Sequence, residues 1–562
     1  MTKKIAIWVA VGFFILQCIL ATRVGMSWDE PSSFFMGRAN LKFWLTGNRQ
    51  YVTDFQNKAL FKDSPIQYIY GEDIYPPFPF VIASLTSYIF AEKIPIFNVF
   101  DAHHFGEILI GSVGVWAMIG VAVEAGLSTP IAIVTGLVYG LFPTIFQMMR
   151  NDAKDIPLMS MIAVSAYFFL LWMRAWQAKD YKHALIRGLL FAITLGLAEA
   201  TKPTAAIFVP IALVWILLSV LRSASFRKKM NPWGKWAIHG VLFAVVAIGM
   251  FLLAWPWLWD DPVGKLMGVF TFFRRVGFAM PVPYFGQMYL AGINVPKTYP
   301  WVVLFMQSPL ELIFFAILGT VYAITVYIKK GTVIPLLFVI WFFAATSRFL
   351  IPGVIIYARI RHFIDAMPAF FILVGFGMNL VANDLDRISA FFANKYQRVI
   401  PKRIGLWIVA GITIVHLLVI SIRFFPYEMN YYNMVIGDAK TIEKKGLFDF
   451  GFADSTREAM EYINRQATIK GEPVYVYACG LAHMVRLYAS PRVKITLDPT
   501  KATYALAPNS VSWYGGPIDF GKKHHETAYT VRRGGIDTFY VFRHLSPIGY
   551  QCGGETATNY ED

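Results

Sequence analysis

Eleven apolar runs, each near the length that crosses a bilayer, leave this chain few ways to fold. A hydrocarbon core about 30 Å thick takes roughly 20 helical residues, and within it only helices or closed barrels satisfy their own backbone hydrogen bonds. The runs are Ile5–Thr22, Phe105–Val123, Pro130–Met148, Ile156–Met173, Ala184–Ala200, Thr204–Leu221, Ala237–Leu258, Pro309–Ile328, Thr332–Thr346, Phe363–Ala382 and Ile404–Ile422. Hydrophobic residues are 56% of the 562 and charged residues only 15%, more apolar surface than a soluble chain could bury. The expectation is a polytopic α-helical membrane protein.

The loops orient it. The net charge is +16, and the basic residues cluster in alternate connections. One set is Arg174, Lys179, Lys182 and Arg187; a second is Arg222, Arg227, Lys228, Lys229 and Lys235. The others are Lys329-Lys330 and the group Arg387, Lys395, Arg398, Lys402 and Arg403. The positive-inside rule places these in the cytoplasm, with the amino end after Lys3-Lys4 inside as well. The run Pro76–Phe97 holds Pro76, Pro77, Pro79, Pro95 and Glu92-Lys93. Counted as a span it would put the basic loops outside, so it reads as re-entrant or interfacial. Nucleic acid is not an expected partner, because the cations are scattered between spans.

Two units follow: residues 1–422 in the membrane, with a long outer loop over 23–104, and an outer tail over 423–562. The tail reads as a small α/β domain, with a helix over Ser455–Ala467 and strands at Val474–Cys479 and Ile536–Phe542. Cys479 and Cys552 lie in it and could pair in an oxidising compartment. The stretch after Glu30, with Phe34, Phe35, Leu41, Phe43, Trp44 and Leu45, suits either an amphipathic helix on the membrane or one packed against neighbouring loops.

Chemistry gathers in the outer loops. Trp28-Asp29-Glu30 sets adjacent acids at a membrane face, where ionisable groups are costly without a partner. The alternative is that Asp29 merely opens a helix at Pro31. Arg150-Asn151-Asp152-Ala153-Lys154-Asp155 is a second acidic position. Cations stand at Arg150, Lys154, Lys202 and Arg359-Ile360-Arg361-His362. Acids facing cations at one surface suit acid/base work on a phosphorylated substrate, since guanidinium binds two phosphate oxygens at once; mutual pairing that ties loops together is the plain alternative. His103-His104 reads as a polar boundary of the second span more readily than as a metal site; a divalent metal is an open but disfavoured reading, and no cofactor is certain.

These motifs, in this order, resemble the glycosyltransferase family 39 group of membrane enzymes, which includes protein O-mannosyltransferases and the lipid A aminoarabinose transferase. The resemblance rests on Trp28-Asp29-Glu30, Tyr75-Pro76-Pro77, Arg150 with Asp155, Ala200-Thr201-Lys202-Pro203, Tyr357 with Arg361-His362-Phe363 and Pro368, and Phe425-Pro426-Tyr427 with Tyr431-Tyr432-Asn433. Tyr75 departs from the pattern, standing where such enzymes often carry a basic residue. The resemblance implies a GT-C fold and a sugar donor on a polyprenyl phosphate. It further implies a lipid, glycan or protein acceptor bearing a hydroxyl. The leaving phosphate calls for cations, with Arg150, Lys154, Lys202, Arg361 and His362 as candidates. The acceptor calls for a carboxylate base, for which Asp29 is the candidate, supported by Glu30 and by Asp155 as the second acid. A transporter or flippase of a lipid-linked intermediate, and a non-catalytic assembly subunit, are the competing readings. Against the transporter, the charges collect at one face, not at mid-membrane in paired halves.

Overall fold

The computed structural model describes residues 2–66, 75–396, 403–438, 441–442, 454–478, 481–496, 498–509 and 525–543. Each of the eleven apolar runs is helical. Among the described residues nine helices are long and apolar enough to cross a membrane, from Lys4–Ala21 to Ile404–Phe424. The chain is an integral membrane protein.

Two runs yield shorter helices. Ile334–Ser347 has 14 residues. The run Pro130–Met148, expected as one span, divides into Thr129–Leu141 and Pro143–Met148. The cause is local: the Pro143 ring excludes its predecessor from the helical region, and Phe142 is extended at ψ 127°. Hydropathy alone does not register that break. The late span is longer than its apolar core, running over Met367–Tyr396.

The Pro-rich piece expected to be re-entrant forms a short helix, Phe78–Ser87, with a wide final turn to Lys93. It is clasped between two other helices at glycines. A Cβ on Gly37 would come within 2.3 Å of the Phe80 carbonyl oxygen, and one on Gly106 within 2.4 Å of the Ala83 Cα. Glu30–Thr46 is the helix on one side, and its apolar residues Phe34, Phe35, Met36, Ala39, Leu41 and Phe43 are buried. Packing against neighbours therefore accounts for this helix over most of its length. Trp44 and Leu45 at its far end stay exposed.

The tail forms a five-stranded mixed sheet. Numbered after a hairpin in the preceding loop (β1, Pro281–Tyr284; β2, Gln287–Leu290), its strands are β3 (Val474–Tyr477), β4 (Val493–Thr496), β5 (Tyr504–Pro508), β6 (Glu526–Arg533) and β7 (Ile536–Arg543). Their order is β4-β3-β5-β7-β6, parallel around β3 and antiparallel around β7. Gly534 and Gly535, at φ 60° and 88°, make the two-residue turn from β6 to β7, the left-handed pair that a tight hairpin needs. The expected helix is present as Thr456–Lys470. Its Met460 and Ile463 join Val476 and Phe539 of the sheet and Met26, Phe34, Phe35 and Phe80 of the first loop in one hydrophobic cluster. Cys479 and Cys552 lie outside the described residues.

Candidate active site

Asp29 sits at the N-cap position of the Glu30–Thr46 helix, with Pro31 in the first turn, but its side chain makes no capping hydrogen bond. Its carboxylate turns away from the helix. Oδ2 accepts from Lys154 Nζ at 2.9 Å and from Arg361 Nη2 at 2.8 Å. The helix-opening role explains where Asp29 lies in the chain but not where its carboxylate points.

Arg361 is the hub. Its Nη2 reaches Asp29, while its Nε donates to Asp155 Oδ2 at 2.9 Å and lies 3.4 Å from Asp152 Oδ2. Asp155 Oδ1 accepts from Lys202 Nζ at 2.8 Å. Four stretches separated in sequence thus meet through their charges: the loop before Asp29, the turn over 149–155, the Thr201-Lys202-Pro203 turn and the segment around Arg361. The last enters through a strained corner. Ala358 and Arg359 both occupy the left-handed region, at φ 51° and 61°, which costs a non-glycine residue about 1–2 kcal/mol. The segment is fastened by Arg348, which pairs with Asp365 and donates to the His362 carbonyl at 2.6 Å, and by Arg359 donating to the Met429 carbonyl at 3.1 Å.

Asp152 does two things. Its Oδ1 accepts from the backbone N–H of Lys154 and of Asp155, at 3.1 and 2.6 Å, so it holds both residues in place just before the Asp155–Gln177 helix. Burial and the neighbouring Asp155 push its carboxyl up to about 7. For Asp29, burial alone would raise the pKa, but Lys154 and Arg361 outweigh it and hold the group well below the usual carboxylate range. Lys154 responds in the opposite sense: burial opposes its charge, and Asp29 overrides this and raises it. The side chain of Asp29 is 32% exposed, against 2% for Asp155 and 7% for Arg361. The cluster is therefore open at Asp29 and closed behind it.

Aromatic rings flank the cluster. Lys154 Nζ lies 4.4 Å from the centre of the Tyr75 ring, a cation–π contact. Tyr75 meets Phe272 and Phe273 edge-on, at 6.0 and 5.2 Å, at the end of the Pro262–Phe273 helix. His362 packs its ring on Tyr357 at 4.0 Å.

Of the eight residues read as candidates in the sequence, Asp29, Lys154, Asp155, Lys202 and Arg361 are joined directly. His362 flanks them. Glu30 is buried: one oxygen accepts from the Ser27 backbone N–H and the other stands 2.9 Å from His104 Nε2. Arg150 lies elsewhere. It is fully buried, paired with Glu428, and sandwiched between the rings of Phe146 and Phe425. Its charge is met inside the protein, not in the cluster. Asp152, passed over in the sequence in favour of Asp155, belongs to the site; the signal that points to it is an acid in the same short turn as Lys154 and Asp155. His103, 3.7 Å from Glu107, is also fully buried, and among the described residues no three His, Cys, Asp or Glu side chains are grouped to hold a metal ion.

Residues 75–255 match the family model for dolichyl-phosphate-mannose-protein mannosyltransferase. The resemblance to the mannosyltransferase-type membrane glycosyltransferases holds. The matched stretch contains Tyr75, Asp152, Lys154, Asp155 and Lys202 and stops short of Asp29 and Arg361. No curated protein sequence matches the chain. Among solved structures, ArnT from Cupriavidus metallidurans bound to undecaprenyl phosphate is 14% identical, covering 97% of this chain and 99% of that one at a TM-score of 0.49. The Archaeoglobus fulgidus oligosaccharyltransferase tethered to an acceptor peptide is 12% identical, covering 96% of this chain and 74% of that one at 0.47. The S. cerevisiae protein O-mannosyltransferase Pmt1-Pmt2 complex bound to the sugar donor is 14% identical, over 51% and 39%, at 0.32.

Proposed function

We propose that this chain is a membrane glycosyltransferase that moves a sugar from a polyprenyl-phosphate-linked donor to a hydroxyl acceptor on the outer face. The observation that carries the reading is that Asp29, the most exposed acid of the cluster, shares one carboxylate oxygen between Lys154 and Arg361. A donor phosphate needs those same cations. When it arrives, its oxygens replace the Asp29 carboxylate on Lys154 and Arg361. Asp29, relieved of two positive neighbours, rises in pKa toward the range of a useful base. The acceptor hydroxyl gives its proton to Asp29 as its oxygen attacks the anomeric carbon. The bond from that carbon to the phosphate oxygen breaks, the electron pair leaves with the lipid phosphate, and the anomeric centre inverts.

The other residues serve this exchange. Asp155, itself held by Lys202, holds Arg361 from behind, so its fork stays aimed when Asp29 lets go. Glu30, tied to Ser27 and His104, supports the loop and does not face the acceptor. The basic loops put the amino end in the cytoplasm and residues 423–562 outside; the acceptor is a lipid, glycan or protein that reaches that face. Asp29→Asn is the test. In vesicles supplied with a radiolabelled polyprenyl-phosphate sugar, transfer drops by about 10²–10⁴-fold at unchanged expression. Transfer at the unmutated rate makes Asp29 structural and removes it as the base; no transfer above protein-free vesicles from the unmutated protein leaves a non-catalytic assembly subunit as the better account.

A further inference from the structure

The loop carrying Asp29 is held residue by residue, and most of the hold comes from the tail. The Val24 carbonyl accepts from Arg457 Nη1 at 3.0 Å. Gly25 lies so close to the tail backbone that a Cβ there would stand 2.2 Å from the Asp454 carbonyl oxygen. The Met26 N–H donates to Tyr488 Oη at 2.8 Å. The Trp28 ring meets His483 edge-on at 4.8 Å. Val24, Met26 and Ser27 are buried beneath these contacts. Arg457 is itself fixed to the membrane part, donating to Asp101 Oδ1 at 2.6 Å, at the start of the Val99–Glu124 helix. Asp454 accepts from Gln147, three residues before Arg150.

We infer that the tail is a clamp that positions Asp29: Arg457 and Tyr488 fix the backbone of Val24–Ser27 and so set the carboxylate against Lys154 and Arg361. Three of these four contacts fall on the loop backbone, at Val24, Gly25 and Met26, which is what holding a short loop in one path requires. Two buried groups, the Val24 C=O and the Met26 N–H, find their partners in the tail; without them these groups stay unpaired and the loop relaxes toward solvent. Arg457 and Tyr488 are positioning residues and touch no substrate.

The inference rests on the proposed role of Asp29 but can fail separately from it. Hydrogen exchange on the full-length protein in nanodiscs decides the clamp. In Arg457→Ala and in Tyr488→Phe, amides of residues 24–29 exchange at least tenfold faster, while peptides from the membrane helices keep their rates. Gly25→Ala gives the same result by forcing loop and tail apart. Unchanged exchange at 24–29 in all three overturns the clamp. The link to chemistry is read with undecaprenyl-phosphate mannose in vesicles. Arg457→Ala lowers kcat roughly tenfold or more with the donor KM within about twofold, Arg457→Lys recovers part of it, and neither change adds to the loss in an Asp29→Asn background. Losses that multiply in that background show that the tail acts other than through Asp29. If the unmutated protein transfers nothing from this donor, the proposed function is in question while the exchange result still decides the clamp.

Discussion

Arg361 and Arg150 make an instructive pair. Both stand in connections at the same end of the bundle, both face carboxylates, and both looked like phosphate ligands in the sequence. Arg361 spreads one guanidinium over three acids, and one of these, Asp29, is open to the exterior of the protein. Arg150 gives its charge to one acid, Glu428, with neither side chain exposed, and has aromatic rings on either side. The first arrangement can trade a partner for an incoming anion, whereas the second cannot without opening the core. A cation near a site is available to a ligand only when its present partner can leave.

Substitutions can break this contrast or sharpen it. The largest effect is expected at Arg150. Arg150→Ala strands Glu428 in a dry environment and costs about 3–5 kcal/mol of stability, read as a collapse of folded protein in detergent. Full folding with lost transfer would reverse the roles of the two arginines. Next is Arg361→Lys, which keeps the charge but cannot bridge Asp29 and Asp155 at once. Transfer falls about 10–100-fold, or roughly 1.4–2.7 kcal/mol, with thermal stability nearly unchanged.

A smaller effect is expected from pH. The raised carboxyl of Asp152 takes up a proton as pH falls through about 7, which removes a negative charge beside Arg361. A polyprenyl phosphodiester, whose own charge is constant there, then binds more tightly at pH 6 than at pH 8. The gain is roughly fivefold, about 1 kcal/mol for one nearby charge, and Asp152→Asn abolishes the dependence. The smallest change is at the strained corner: Ala358→Gly relieves a left-handed alanine and raises stability by about 0.5 kcal/mol, measured as a modest rise in Tm. A fall would mean that the strain is not local to that residue.

Hydropathy made the apolar helices and their connections legible, because burial in lipid constrains every residue of a span. It could not show the division at Phe142, since Pro143 is apolar and is lost in an averaged window. The gathering of Asp29, Asp155, Lys154, Lys202 and Arg361 was legible from the one membrane side to which the charge pattern assigned their loops. The fate of Arg150 was not, because its partner Glu428 lies 278 residues away and nothing local marks the pair. In the tail, β7 was visible as a dense apolar strand. β6 was not, because only Val531 along Glu526–Arg533 is fully buried and the alternation that signals a strand is faint.

The cluster around Arg361 has a consequence for which anions it admits. Asp29, Asp152 and Asp155 oppose Lys154, Lys202 and Arg361, three charges against three once Asp152 is ionised above about pH 7. A cluster so balanced offers little long-range pull to sulfate, inorganic phosphate or nucleotides in the surrounding water. An anion that displaces Asp29 has to be delivered at high local concentration by something other than charge, and partitioning of a long hydrocarbon tail into the bilayer does that. Under the proposed function, the resting ion pairs would favour membrane-borne phosphates over dissolved ones.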